Sequence, residues 1–564
     1  MRTDTSPLPP SESGDWTVAA LRVMRERYLA VHEHAQETPE EMLWRVALAV
    51  ARAERAWGAD DDAVHAVAES FYRLMVRREF LPNSPTLMNA GRENGLQYSA
   101  CFVLPVDDSV EAIFEAVKRA AIIHQSGGGT GFSFSRLRPR GSRVFTTGGH
   151  ASGPVTFLRV FNAATEAVKQ GGTRRGANMG VLRVDHPDIE AFIDCKREGD
   201  LVNFNISVAI TDAFMEALSH DEPYDLLDHH GARVGQLRAR DVWDRMVAAA
   251  WRSGDPGVIF IDRINRSPAN PTPSLCRIEA TNPCGEQPLA PNEACNLGSI
   301  NLARFVTDDD LDWPRLEATV RVAVRLLDDV IECNPYPLPE IDATVKANRR
   351  IGLGVMGWAD VLMALRLAYD SEPALSFAER VMAFIHDKAV QASQQLAEQR
   401  GAFPNQARSI HADGPPRRNA TVTTIAPTGS ISILAGCSSG IEPAFALAYR
   451  HVVGERVLSF VNPLLDQALR EAPDAVRARV LASGALRGDD EAPAELRRIF
   501  VTAHEIAPEW HVRMQAAFQR HTESGVSKTI NLASSATEDD ISRAFQQAWD
   551  EGCLGITVFR DGCK

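Results

Sequence analysis

No Cys-x-x-Cys pair occurs in this chain, although it carries nine cysteines, at 101, 195, 276, 284, 295, 333, 437, 553 and 563. Zinc-ribbon spacing and the dithiol motif of thioredoxin-like folds are thereby excluded. No stretch of about 18 apolar residues is present, so no transmembrane helix is expected. Residues 1–14 are polar, rich in Pro and Ser, and lack an apolar signal core. The expectation is a cytoplasmic protein, in which any disulfide is transient and catalytic. Basic side chains are in the minority, 60 against 74 acidic ones, for a net charge of −14. That disfavours a nucleic-acid surface but leaves room for one basic nucleotide pocket. No repeat of about 20–50 residues is visible. The run Gly127-Gly128-Gly129-Thr130-Gly131 is not followed by Gly-Lys-Ser/Thr and is no P-loop.

Hydrophobic residues make up 45% of the 564, enough for a large folded core. Residues 1–14 read as a disordered tail and residues 15–80 as a helical N-terminal domain with no evident chemistry. Thr38-Pro39-Glu40-Glu41 starts one of its helices, with Thr38 and Glu41 as a capping box. From 81 to 564 strand and helix patterns alternate, which argues for an α/β core. Strands are predicted over 98–104, 132–135, 203–210, 258–260, 421–425, 527–532 and 554–560. Helices are predicted over 108–125, 154–170 and 374–400, the first capped by Asp108 with Glu111 and buried through Val110, Ile113, Phe114, Val117 and Ala121. Gly352-Leu353-Gly354-Val355-Met356-Gly357 spells a dinucleotide fingerprint, but Asn348-Arg349-Arg350 precedes it and no βαβ unit surrounds it. Its small residues are expected to let helices pack closely.

The chemistry concentrates at Asn282-Pro283-Cys284-Gly285-Glu286, followed by Cys295-Asn296-Leu297-Gly298-Ser299. In an extended segment alternate residues share a side, so Asn282, Cys284 and Glu286 can face one small substrate. Pro283 stiffens this loop and Gly285 permits a tight turn. Other loops admit two readings. The glycines at 127–131 are a helix cap or a close approach of backbone to a ligand. Gly171-Gly172-Thr173-Arg174-Arg175-Gly176-Ala177-Asn178 is a loop that touches an anion or base, or a solvated turn. Pro427-Thr428-Gly429-Ser430-Ile431 is a phosphate-holding turn or an ordinary capped one.

Taken in order, Ser84-Pro85-Thr86, Ser99-Ala100-Cys101, Gly129-Thr130-Gly131, the 171–178 loop, residues 282–286, Cys295-Asn296-Leu297 and residues 427–431 resemble the catalytic subunit of ribonucleotide reductase. The likeness is strongest to the adenosylcobalamin-dependent, class II branch and runs from about residue 20 to the end. It implies a ten-stranded α/β barrel with an inserted finger loop, preceded by the helical domain. It also implies reduction of ribonucleotides, diphosphates in particular, to 2′-deoxyribonucleotides as DNA precursors. Cys284 would be the thiyl-radical residue, Glu286 the general base and Asn282 the ribose ligand, with Cys101 and Cys295 as the redox-active pair. Substrate contacts map to Ser84, Ala100, Cys101, Gly129, Asn282, Pro283, Cys284, Gly285, Glu286, Pro427, Thr428, Gly429, Ser430 and Ile431. An allosteric dNTP or ATP effector maps to Asp108, Ser109 and Arg138, with 171–180 relaying its identity across a homodimer.

The resemblance implies adenosylcobalamin as cofactor, no metal ligands, and a thioredoxin-like or other dithiol reductant. The strand Gly555-Ile556-Thr557-Val558-Phe559-Arg560 holds no tyrosine to relay a radical from a partner subunit, which favours cobalamin. An N-terminal ATP-cone-like segment and a C-terminal Cys-pair tail, both common in the family, are expected to be absent. Two alternatives remain open on sequence alone: a partner-dependent catalytic subunit, and a nucleotide-binding homologue that no longer turns over.

Overall fold

Helix starts in the lead-in follow the capping chemistry of the sequence. The computed structural model describes residues 9–32, 35–144, 148–168, 176–199, 201–453, 456–471 and 474–563. Helix α1 (Val18–Arg27) begins at Thr17, whose hydroxyl accepts from the Ala20 amide. Helix α2 (Pro39–Ala51) carries the predicted capping box, with Thr38 and Glu41 bonded reciprocally. Helix α3 (Asp61–Val76) is capped by Asp60. The expected disordered tail needs correction at its described end. Glu12 takes a two-pronged bond from Arg77 and its carbonyl accepts from the Tyr72 hydroxyl at 2.6 Å, while the Gly14 amide donates to Glu40.

Buried charge ties this helical unit to the rest. Glu54 accepts from Arg400 at 2.5 Å, and Arg400 also bonds Asp328 and Asp329 at 2.8 and 2.7 Å. Its guanidinium lies 4.0 Å over the Trp57 ring. A buried arginine is tolerated only when paired and hydrogen-bonded like this.

Ten strands form one sheet. They are β1 (Phe80–Pro82), β2 (Cys101–Leu104), β3 (Gly129–Ser133), β4 (Asn178–Arg183), β5 (Phe204–Ile210), β6 (Gly257–Phe260), β7 (Glu293–Asn301), β8 (Ile351–Met356), β9 (Thr529–Leu532) and β10 (Gly555–Arg560). Strands β2 to β6 run parallel in chain order. Strands β7 and β8 are parallel to each other, as are β9 and β10. The two groups meet antiparallel at β2/β7 and at β6/β10. Residues 421–425, read as a strand from sequence, close the ring through parallel bridges Leu353↔Thr423 and Ile425↔Val526. The result is a barrel of two parallel halves set antiparallel, with β1 paired outside on β7.

Alternation sorts the side chains. On β2, Cys101 and Val103 join the interior cluster with Met179, Val181, Cys295 and Leu297. Phe102 and Leu104 join the outer core under the helices. Helices α4 (Val110–Gln125) and α5 (Pro154–Ala167) pack against each other outside the barrel. Among the described residues no helix is long and apolar enough to cross a membrane.

Three local expectations are corrected. The 352–357 glycines lie in and just after barrel strand β8, not between helices: a Cβ on Gly354 would stand 2.3 Å from the Thr424 carbonyl oxygen. Ser109, not Asp108, caps α4, its hydroxyl accepting from the Ala112 amide. The buried face of α4 is Ile113, Ala116, Ala120 and Ile123, whereas Val110 and Phe114 are 68% and 52% exposed.

Candidate active site

A hairpin threads the barrel. Ala280–Thr281 pairs antiparallel with Pro288–Leu289, and residues 282–287 form its tip. The Gly285 amide donates to the Asn282 carbonyl at 3.1 Å, with Gly285 at φ +82°, a conformation glycine adopts without strain. Both halves of the barrel hold the tip through its backbone. Asn205 on β5 donates to the Pro283 carbonyl at 2.9 Å. From the other side the Thr424 hydroxyl and the Gly525 amide both donate to the Glu286 carbonyl at 2.9 Å. The finger also leans on β3: a Cβ on Gly131 would come within 1.8 Å of the Thr281 carbonyl oxygen. The glycine run serves both purposes without a ligand: Gly127, at φ +84°, and Gly128 donate back to His124 and Ile123 and cap the preceding helix, while Gly131, inside β3, permits the close approach of two backbones.

Asn282 and Glu286 are buried and Cys284 is exposed at the tip. Asn282 Nδ2 donates to Cys101 Sγ at 3.0 Å, and that sulfur lies 3.8 Å from Glu286 Oε1. Glu286 Oε2 is buried with no hydrogen-bond partner among the described residues. Burial raises the Glu286 carboxyl from 4.5 to about 7, against a smaller opposing pull from Asn282 and Cys101. A carboxylate poised near neutrality is suited to general base work.

Cys101 and Cys295 are direct partners across the antiparallel β2/β7 seam. Residues so paired have Cα atoms about 4.5–5.5 Å apart and side chains on one face, within the span a disulfide needs. Burial pushes the Cys101 thiol well above its ordinary range, and the nearby Glu286 charge adds to this. Burial likewise raises Cys295. Both sulfurs therefore keep their protons at neutral pH.

Asn282, Cys284, Glu286 and Cys101 face a half-open cavity of about 270 Å³, while Cys295 is buried outside its wall. Its walls include Ser84, Ala100, Cys101, Gly129, Asn282, Pro283, Cys284, Glu286, Pro427, Thr428, Gly429, Ser430 and Ile431. Of the expected substrate contacts only Gly285 is missing from the wall; it shapes the turn instead. Asn83 Nδ2 and Ser299 Oγ also line it and, like Glu286 Oε2, are buried without a partner among the described residues. Such atoms are costly unless a ligand or water completes them.

Away from the cavity, Arg138 donates to Asp108 at 2.7 Å, so two of the three expected effector residues meet, while Ser109 is engaged as the α4 cap. Residues 171–175 lie outside the described residues. At the loop's described end Ala177 lines the cavity and Asn178 is bonded to Thr130 at 2.7 Å. The sequence reading missed two groups from the helical domain: Arg27 and Tyr28 both line the cavity. Nothing in Arg25-Glu26-Arg27-Tyr28 marks a nucleotide site; only the packing of α1 against the helix Ile431–Ala435 brings it there.

A family description, "Ribonucleotide reductase, barrel domain", matches residues 99–417 and 408–559, and "Ribonucleotide reductase, all-alpha domain" matches 15–95. The chain belongs to the ribonucleotide reductase family. Among its relatives, the vitamin B12-dependent ribonucleoside-diphosphate reductase of Thermoplasma acidophilum is 52% identical over 503 residues, covering 88% of this chain and 65% of that protein. A reductase of the same name from Mycobacterium tuberculosis is 49% identical over 556 residues, covering 97% of this chain and 80% of that one. The reductase fold also matches the Actinobacillus ureae class Id ribonucleotide reductase alpha subunit, with a TM-score of 0.79, 24% identity and 99% coverage of both chains. The ten-stranded barrel, finger and helical lead-in are thus the reductase architecture.

Proposed function

We propose that the chain reduces ribonucleoside diphosphates to 2′-deoxyribonucleotides, with adenosylcobalamin as cofactor and the Cys101/Cys295 pair as electron donor. The observation that carries this reading is the placement of that pair directly beneath the finger that presents Cys284, Asn282 and Glu286 to one cavity. The names of the Thermoplasma and Mycobacterium relatives support both the diphosphate and the vitamin B12.

The residues present fit a cofactor that reaches Cys284 from outside. Cys284 is exposed while the neighbouring Asn282 and Glu286 are buried, and β10 carries no tyrosine. Pro85, Met88, Ala177 and Leu297 add apolar surface to the cavity lining that the cofactor would meet. When bound, adenosylcobalamin supplies the one-electron oxidation that turns the Cys284 thiol into a thiyl radical. The thiyl then takes the ribose 3′ hydrogen, forming S–H as C3′–H breaks. Glu286 removes the 3′-hydroxyl proton, its unpartnered Oε2 being the free acceptor, and Asn282 holds the ribose hydroxyls. The 2′-hydroxyl leaves as water with a proton from Cys101. Formation of the Cys101–Cys295 disulfide supplies two electrons, and Cys284 returns hydrogen to C3′. The sum is one ribonucleotide and two thiols giving one deoxyribonucleotide, one disulfide and water. Cys284 is exposed to the half-open cavity, so exclusion of water from the radical falls to the bound substrate and cofactor that would cover it.

In the same reading residues 427–431 hold the substrate phosphates, and a thioredoxin-like or other external dithiol resets the buried pair through the cavity. A homodimer forms over α4, whose Val110, Phe114 and Ile122 are exposed along one stripe. An effector dNTP or ATP sits at the start of that helix, near Asp108 and Arg138, and the 171–180 loop relays its identity to the cavity.

The test is CDP or ADP reduction with adenosylcobalamin, a small dithiol and a dNTP effector. Deoxynucleotide formed only when cobalamin is present supports the reading. Formation without cobalamin, or none from either diphosphate or triphosphate substrates, overturns it.

A further inference from the structure

The cavity described above must accept a polyanion, yet its wall is short of positive charge. Among the described lining residues Arg27 is the one cation, and Glu286 adds negative charge when ionised. Arg27 ends helix α1 in the N-terminal domain, and its side chain is exposed. It has no carboxylate partner among the described residues; its Nη1 makes a long contact to Ser430 Oγ at 3.5 Å. Ser430 belongs to the turn that faces the same cavity.

The backbone beside Arg27 is held by Tyr28. Tyr28 is 1% exposed, and its hydroxyl bonds Ser84 Oγ at 2.7 Å. Its amide donates to the Met24 carbonyl at 2.8 Å, and its carbonyl accepts from Arg92. Arg27 therefore stands on an anchored rim, an exposed cation without a carboxylate partner among the described residues, beside the hydroxyl of Ser430. A guanidinium in that position matches phosphate oxygens in a two-pronged geometry.

We propose that Arg27 is a substrate-binding residue that closes onto the phosphate end of a nucleoside diphosphate, so that the helical domain completes the active site. This rests on the reading of the cavity as a ribonucleotide site. Tyr28 acts as a positioning residue, holding the rim against Ser84.

The experiment is calorimetric binding of CDP, and of cytidine by competition, to the 564-residue chain and to its Arg27→Ala and Arg27→Lys variants. Arg27→Ala is expected to weaken CDP by about tenfold or more, the size of one lost charge-assisted contact. Cytidine, which has no phosphate, should bind all three proteins alike. Arg27→Lys should recover part of the loss, and the difference should shrink as salt rises. Because Arg27 is exposed, all three proteins should melt at the same temperature, which verifies the fold. Unchanged CDP affinity in Arg27→Ala overturns the proposal while leaving the substrate reading intact. Equal weakening of CDP and cytidine also overturns it, by showing a general disturbance of the cavity. Failure of the unsubstituted chain to bind CDP at all overturns the substrate reading and this proposal with it.

Discussion

Cys101 and Cys295, 194 positions apart in the chain, are register partners across the antiparallel seam between β2 and β7. Strand pairing alone therefore sets their separation, without help from any loop. If the pair is the electron donor, the reduced protein yields about one deoxynucleotide per site when no dithiol is supplied. Peptide mass mapping should then find residues 101 and 295 joined. Cys101→Ser and Cys295→Ser should each cut sustained turnover by about a thousandfold or more, and the double variant should fall no further, since the two act as a unit. Sustained turnover in either single variant would contradict the pairing.

Glu286 gives a pH signature. Burial raises its carboxyl to about 7, so the ionised base accumulates as pH rises through that value. The rate should climb on an acid limb near 7, and Glu286→Gln should lose the limb along with about 10²–10⁴ in kcat. Stability moves the other way. The folded pKa lies above the unfolded value of 4.5, so the folded protein binds this proton more tightly. The stability it contributes is intact below about 4.5 and is lost as pH rises through about 7. Glu286→Gln should therefore be the more stable protein at pH 8, by up to about 3 kcal/mol, with the gap closing by pH 4.5. Denaturant melts at the two pH values measure this.

Gly131 decides where the finger sits. A methyl there collides with the Thr281 carbonyl oxygen at 1.8 Å, and both segments are held in strand pairings. Gly131→Ala should cost about 3 kcal/mol and abolish turnover. Gly488→Ala meets nothing within 4 Å and should change stability by less than about 0.5 kcal/mol. Equal melting temperatures for the two variants would refute this account of the finger.

Much of the site was legible in the sequence because its groups are contiguous or carry a motif. Residues 282–286 share one turn, and residues 427–431 form another. The strand pattern at 421–425 was also readable, although its role in closing the barrel depends on partners at 353 and 526. What was not legible depends on long-range packing. The glycines at 352–357 read as helix spacers because a fully buried strand lacks the alternation that marks a half-exposed one. The outward face of α4 looked like core because Val110 and Phe114 are as apolar as any buried residue. Arg27 and Tyr28 carried no signal because their neighbours in space lie 403 and 56 positions away.

That outward face makes its own prediction. Val110 and Phe114 are exposed one helical turn apart on α4. A Val110→Glu/Phe114→Glu variant should remain folded, since neither side chain enters the core, and should run as a monomer by light scattering while the unsubstituted chain runs as a dimer. A monomeric unsubstituted chain, or a dimeric variant, would contradict the assembly over α4.

The central claim is that Cys284 is the radical residue, and one assay reaches it directly. Deoxynucleotide formation from CDP should be followed in the presence of adenosylcobalamin, dithiol and effector, for the unsubstituted chain and for Cys284→Ser. Cys284 is exposed at the finger tip, so the substitution should leave folding and CDP binding unchanged. The account predicts steady product from the first protein and none from the second. Product formed by Cys284→Ser at a comparable rate would show that hydrogen abstraction happens elsewhere, and the account would fall.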